Sequence, residues 1–352
     1  MTSTKRISLA LQGGGSHGAF QWGVLDRLLE DERLEVGAIT SASAGAFNAV
    51  AFASGMLAGG RVGAKAELEG FWRAVNGAGG RNVFGDHELW NAFTPWLKGT
   101  PMYQWWESAA LSVSPYENPW SHNPLRAVLE SRVDFAALRA GSPVKLKVSA
   151  TSVRTGEARV FSDAELTPEM VLASACLPQL FQAVLIEGAD YWDGGYTANP
   201  ALWPLFFPGA PEDLLVVHIN PLRREQPPRR SAEIMDRLNE ISFNASLSAE
   251  LRSIAFVNRL LDDDLLRPEA RARFQPVHIH AIQADAWLSD LSLASKFDTE
   301  WGFLQDLRSR GRQAADLWLQ RCFDAVGERS SVDVRDDFLA DRPIAPAPAP
   351  AG

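Results

Sequence analysis

The chain has only two cysteines in 352 residues, Cys176 and Cys322. Two thiols far apart in sequence, each in an apolar or helical context, suggest neither a disulfide framework nor a zinc site, and a reducing compartment, the cytoplasm, is expected. No uninterrupted apolar run of about 20 residues occurs, and "MTSTKRISLA" lacks a long apolar h-region. Neither a membrane span nor a secretory signal is therefore expected. Positive charge is also short. With 34 Lys and Arg against 43 Asp and Glu, the net charge is −9, which removes any overall field for nucleic acid or anionic membranes but leaves room for a local patch. What is present is apolar: 46% hydrophobic residues over this length can bury a large core.

The apolar residues alternate between strand and helix patterns. Ile7 to Leu11 is a short apolar run ended by three glycines, as a buried strand entering a turn would be. Phe20, Val24, Leu25, Leu28 and Leu29 then recur at helical spacing. "VGAITSAS" predicts a second strand and "AGAFNAVAFASGML" a second helix, stopped by Gly59-Gly60. Further strands are predicted at "VKLKVSAT", "EARVFS", "LLVVHIN" and "VHIHAI". Before the last of these, Ser231 is placed as the cap of a long helix whose Ile234, Leu238, Ile241, Leu251, Ile254 and Leu261 share a face expected in the core. A final helix is expected from about Trp301 to Phe323, and "RPIAPAPAPAG" ends the chain as a tail unable to build a core. Residues 61–140 hold six of the twelve tryptophans. Ordinary helix packing is the commoner use of such residues, and a lid or acyl-chain pocket is the other reading.

Gly13, Gly15 and Gly18 have the G-x-G-x-x-G spacing of a pyrophosphate cradle. A dinucleotide site also needs an acidic residue ending the second strand, about 20 residues on. That strand ends Thr40-Ser41, while Glu32 and Glu35 lie at its other end, so a nicotinamide-dependent oxidoreductase is only a minor alternative. The second turn, "SASAG" from Ser41 to Gly45, nearly matches the G-x-S-x-G nucleophile elbow with Ser43 at its centre. Ser41 replaces the first glycine, so the turn must accept a Cβ there. Six histidines occur, and none is placed as a triad member. The His278 and His280 pair has no carboxylate or cysteine cluster beside it in sequence, which favours a hydrogen-bonded sheet histidine over a metal ligand. "YWDGGYTANP" sets Asp193 before two glycines. Alone it reads as an Asp-Gly turn; beside the other two motifs it reads as a catalytic carboxylate.

A glycine loop, a serine elbow and a D-G-G aspartate in this order resemble the patatin-like phospholipase family, in which a Ser-Asp dyad replaces the triad. "ASACLPQLF", Ala173 to Phe181, resembles the stretch preceding that family's aspartate. The resemblance covers residues 7–200. It implies that Gly13, Gly14 and Gly15 form the oxyanion hole, Ser43 is the nucleophile, Asp193 is the base, and Ser41 and Gly45 flank the elbow. It further implies a three-layer α/β/α fold with a mainly parallel sheet over residues 1–220 carrying the 61–140 insertion. A helical extension with an added strand at 221–340 and a flexible tail at 341–352 would follow. The implied activity is cleavage of a fatty-acyl ester, phospholipid or lysophospholipid, with no metal or cofactor and with peripheral contact to lipid assemblies. His17 stands where many members carry Arg or Lys, and is given no catalytic role. A lipid-binding or regulatory protein with weak esterase activity is the alternative, against which the complete set of glycines, serine and aspartate argues.

The chemistry explains the glycines. Acyl transfer creates a tetrahedral oxyanion that backbone N–H groups at a glycine turn and helix N-terminus stabilise, each donor contributing about 3 to 4 kcal/mol in the transition state. An ordinary Asp pKa of about 4 is low for a base at neutral pH. Either desolvation raises it, or the serine is delivered in an ideal hydrogen bond. The two residues are 193 − 43 = 150 positions apart, so only the fold can join them.

Overall fold

The structure, a computed structural model, describes residues 4–79, 114–117, 123–206, 210–224, 227–229, 231–271, 273–289, 291 and 293–339. Strand β1 (Lys5–Leu11) is followed by helix α1 (Gly18–Leu28), strand β2 (Leu34–Ser41) and helix α2 (Ala44–Gly79). Helices α3 (Leu125–Arg132) and α4 (Phe135–Gly141) lead to β3 (Lys145–Ser152), β4 (Ala158–Ser162), α5 (Pro168–Ser174), β5 (Val184–Ile186) and β6 (Ala189–Asp193). After β7 (Asp213–His218) come α6 (Ser231–Asp262), α7 (Pro268–Arg271), β8 (His278–Gln283) and α8 (Trp301–Cys322).

All eight strands form one sheet in the order β5-β6-β3-β2-β1-β7-β8, with β4 paired to β3. The β3-β2-β1-β7-β8 pairings are parallel, and β4, β5 and β6 pair antiparallel with their neighbours. Ile7, Leu9, Leu11, Ile39, Leu215 and Val217 face one core, shared with α1, α2 and α8. Ala10, Ala38, Leu214, Val216 and Ile279 face a second core against Leu247, Leu251 and Ile254 of α6. Burial on both faces explains why these strands are continuous apolar runs without alternation. The result is a three-layer α/β/α fold, with helices of the C-terminal region contributing to both outer layers.

The first outer layer is closed by a backbone-to-backbone crossing of α1 and α8. A Cβ added at Gly23 would meet the Arg308 carbonyl, and one at Gly311 the Phe20 carbonyl. Beside that crossing, buried Asp26 receives Arg308 and Arg312, and Trp22 packs between Trp72 and Trp301 with centroids 6.5 and 6.0 Å away.

One sequence expectation, the core stripe of α6, needs adjustment. Gly59-Gly60 ends the first helical stretch of α2 as expected: both glycines are non-helical, Gly60 at φ 59 and ψ −146, and a second helical stretch runs from there to Gly79. In that second half, Phe71 and Trp72 are core residues at 1% and 3% exposure, so packing is the right reading there; Trp90, Trp96, Trp105, Trp106 and Trp120 lie outside the described residues, as does the tail 341–352. The expected core stripe of α6 holds for Leu251, Ile254 and Leu261 only. Ile234, Leu238 and Ile241 are 43%, 51% and 50% exposed. At about 100° per residue Ile234, Leu238 and Ile241 lie on the side of this 32-residue helix opposite Ile254 and Leu261, and the buried side in its first half is carried by Glu240, Phe243, Asn244 and Leu247.

Candidate active site

The elbow is two residues long. Strand β2 ends at Ser41 and α2 begins at Ala44, so Ala42 and Ser43 make the whole turn. Ser43 pays for this with φ 50, in the left-handed region, and is buried at 7% exposure. Ser41 is outside that region and donates Oγ to the Lys147 carbonyl at 3.2 Å. The steric demand thus falls on Ser43 and on Gly45, where a Cβ would clash with the Leu11 carbonyl. The Ser43 N–H is shared between Oγ and the carbonyl of Ser174, at 2.9 and 3.1 Å. Ser174 ends α5 inside the quoted "ASACLPQLF", so that motif buttresses the elbow.

Strand register brings Asp193 to the serine. Val148 pairs with both Phe161 of β4 and Ser41 of β2, while Ala150 pairs with both Arg159 of β4 and Asp193 of β6. A strand has two edges, so β2 and β6 share the edge opposite β4. They run toward each other and stop two β3 residues apart, which closes the 150-residue gap. The Asp193 N–H donates to the Cys176 carbonyl at 2.8 Å, and its carbonyl accepts from Thr151 Oγ1 at 2.8 Å. In the fully buried carboxylate, Oδ1 accepts from the Gly195 N–H at 2.7 Å, while Oδ2 makes no hydrogen bond of good geometry to any described residue. Burial pushes the Asp193 pKa up to about 7, against the Gly195 N–H, the Ser43 hydroxyl and the Lys296 charge, which favour the ionised form. Gly194 has no room for a Cβ against the Ser149 carbonyl, and one on Gly195 would lie 2.9 Å from the Phe243 ring.

The glycine loop passes against the serine: a Cβ on Gly13 would be 2.6 Å from that of Ser43. Its three glycines are not equivalent. The Gly13 N–H donates to Asn199 Oδ1 at 2.6 Å, and its carbonyl accepts from Asn220 Nδ2 at 2.6 Å. In a trans peptide N–H and C=O point oppositely, so anchoring the Gly13 carbonyl on Asn220 turns the Gly14 N–H away from it. The N–H groups of Gly14, Gly15 and Ala44 have no acceptor among the described residues. Nothing in the sequence singles out Asn199 and Asn220, although Asn199 is next to last in "YWDGGYTANP" and Asn220 ends "LLVVHIN".

The four described histidines, His17, His218, His278 and His280, lie in structural roles, and His87 and His122 lie outside the described residues. His17 Nε2 and Ser295 Oγ are 2.7 Å apart. His280 bridges Asp213 and Ser331, each at 2.9 Å, and His278 approaches the same Asp213 at 3.4 Å. His218 Nε2 is 3.0 Å from Asn244 Oδ1. Among the described residues no group of three or more His, Cys, Asp or Glu is placed to hold a metal, and no helix is long and apolar enough to cross a membrane.

The strand ends thus gather a serine at positive φ, a buried carboxylate and glycine N–H groups without an acceptor among the described residues. The family model of patatin-like phospholipases matches residues 9–206. The chain belongs to that family, and with it to the lipid hydrolases. Among solved structures it is similar to VipD from Legionella pneumophila, with 15% identity, a TM-score of 0.40, and 89% of this chain covering 67% of that one. It is also similar to ExoU in two structures of its complex with SpcU from Pseudomonas aeruginosa. These have 14% and 16% identity and TM-scores of 0.32 and 0.30, with 91% and 93% of this chain covering 54% and 62% of the matched chains. Likenesses this remote carry no argument about function. No curated protein matches the chain.

Proposed function

We propose that the protein cleaves fatty-acyl esters of phospholipids or lysophospholipids through a Ser43–Asp193 dyad. Asp193 accepts the Ser43 proton as the hydroxyl attacks the ester carbonyl. The oxyanion is held by the N–H groups of Gly14 and Gly15 and by Ala44 at the start of α2, with Gly13 fixing the loop. The alcohol leaves with the proton from Asp193, and the same carboxylate activates the water that releases the fatty acid. Residues 1–220 form the catalytic part in this reading, 221–340 the extension, and a cytoplasmic enzyme would meet its lipid at the surface of membranes or micelles.

One observation carries the reading. Asp193 is fully buried beside Ser43 with its pKa at about 7, where a general base is most effective at neutral pH. Desolvation, the first of the two routes the sequence left open, is the larger influence. A binding protein on the same fold would gain nothing from a buried carboxylate that burial opposes. The test is fatty-acid release from a phospholipid and a lysophospholipid by wild type, Ser43→Ala and Asp193→Asn. Loss in both variants, with folding retained, is expected; hydrolysis by Ser43→Ala at the wild-type rate would end the proposal.

A further inference from the structure

The family segment, residues 9–206, does not by itself complete this site. Lys296, on the single turn Leu293–Phe297 between β8 and α8, holds the glycine loop at two points. Its ammonium donates to Asn220 Oδ1 at 2.6 Å, and Asn220 Nδ2 donates in turn to the Gly13 carbonyl at 2.6 Å. Its backbone carbonyl packs on Gly15, at φ 60, so tightly that a Cβ there would clash with it. Asn220 is further fixed by its own N–H, which donates to Gln12 Oε1 at 3.0 Å.

We propose that Lys296 is a positioning residue of the dyad, which orients the Gly13–Gly14 peptide through Asn220 and supplies the standing positive charge beside Asp193. This rests on the dyad reading. A cation on Asn220 Oδ1 polarises that amide, strengthens its donation to the Gly13 carbonyl, and through the shared peptide makes the Gly14 N–H a better donor. The same charge favours the ionised, proton-accepting form of Asp193. The other ionisable groups acting with Asp193 are Cys176, after α5, and Tyr196, on the turn that follows it. Burial pushes the thiol up to about 12 and raises the phenol above its ordinary value. Both are neutral between pH 5 and 9, so among the described residues Lys296 is the charge that acts on this carboxylate, after burial, the Gly195 N–H and the Ser43 hydroxyl.

The experiment measures kcat and kcat/KM on a soluble short-chain ester from pH 5 to 9 for wild type, Lys296→Gln and Lys296→Arg, with Ser43→Ala as reference and Tm for each. Lys296→Gln keeps a donor for Asn220 and removes the charge. Its acidic limb is expected to move up by about 0.5 to 1 pH unit, with a lower kcat and little change in KM, and Lys296→Arg should restore the limb. A Lys296→Gln limb coincident with wild type overturns the proposal, even if kcat falls, and so does a Lys296→Gln protein that does not fold. Full activity in Ser43→Ala would instead refute the dyad itself, which separates the two failures.

Discussion

Asp193→Asn should stabilise this protein while inactivating it. Asparagine keeps the shape and leaves Oδ1 to accept from the Gly195 N–H, a bond of 2.7 Å in wild type. What it removes is a fully buried charge. A carboxylate whose pKa rises from 3.8 to about 7 on folding opposes the folded state once ionised, by roughly 4 kcal/mol at the most. The sign follows from the direction: below about pH 4 the group is protonated in both states and costs nothing, and above about pH 7 it is charged in both and the cost is complete. The advantage of Asp193→Asn should therefore be absent near pH 4, grow through the interval, and level off above pH 7. At about 2 °C per kcal/mol for a chain of this size or somewhat less, a Tm higher by several degrees at pH 8.5 is expected by calorimetry. A variant that melts at or below wild type at pH 8.5, or one whose advantage does not change with pH, would refute the desolvated-carboxylate argument.

Ser43→Gly should be more stable than Ser43→Ala by about 1 kcal/mol in chemical denaturation, because glycine alone occupies φ 50 without strain. Gly311→Ala should lower stability by about 1 to 3 kcal/mol or more, since its Cβ meets the Phe20 carbonyl; the acidic limb of kcat/KM should not move, which distinguishes it from changes at Lys296. Asn199→Ala leaves the Gly13 N–H without its acceptor at 2.6 Å, and should reduce kcat by about 10-fold or more with a smaller effect on KM, checked by steady-state kinetics.

The alternation of β1, α1, β2 and α2 was legible because apolar period and glycine punctuation act locally. The elbow and the D-G-G turn were legible for the same reason, since each is a short backbone requirement written in neighbouring residues. What was not legible was where the strain falls: the missing glycine at 41 drew attention, yet Ser41 is ordinary strand and Ser43 carries the left-handed turn. The supports of the site were also invisible. Asn199, Asn220 and Lys296 reach partners 186, 207 and 76 residues away, and a polar residue in a turn or loop has no pattern to announce such a role. The face of α6 was misjudged because Ile234, Leu238 and Ile241 lie on the side opposite Ile254 and Leu261 at about 100° per residue, while the buried side of those turns carries polar Glu240 and Asn244 beside Phe243, which hides it from an apolar pattern.

The central claim is that Ser43 is activated by a carboxylate held near neutrality, and the rate at which a fluorophosphonate labels Ser43 as pH is varied tests it most directly. Mass mapping should place the label on Ser43, with a rate that rises to half its maximum near pH 7 and falls by orders of magnitude in Asp193→Asn. Labelling at another residue, a midpoint near pH 4, or an Asp193→Asn protein labelled as fast as wild type would contradict the account.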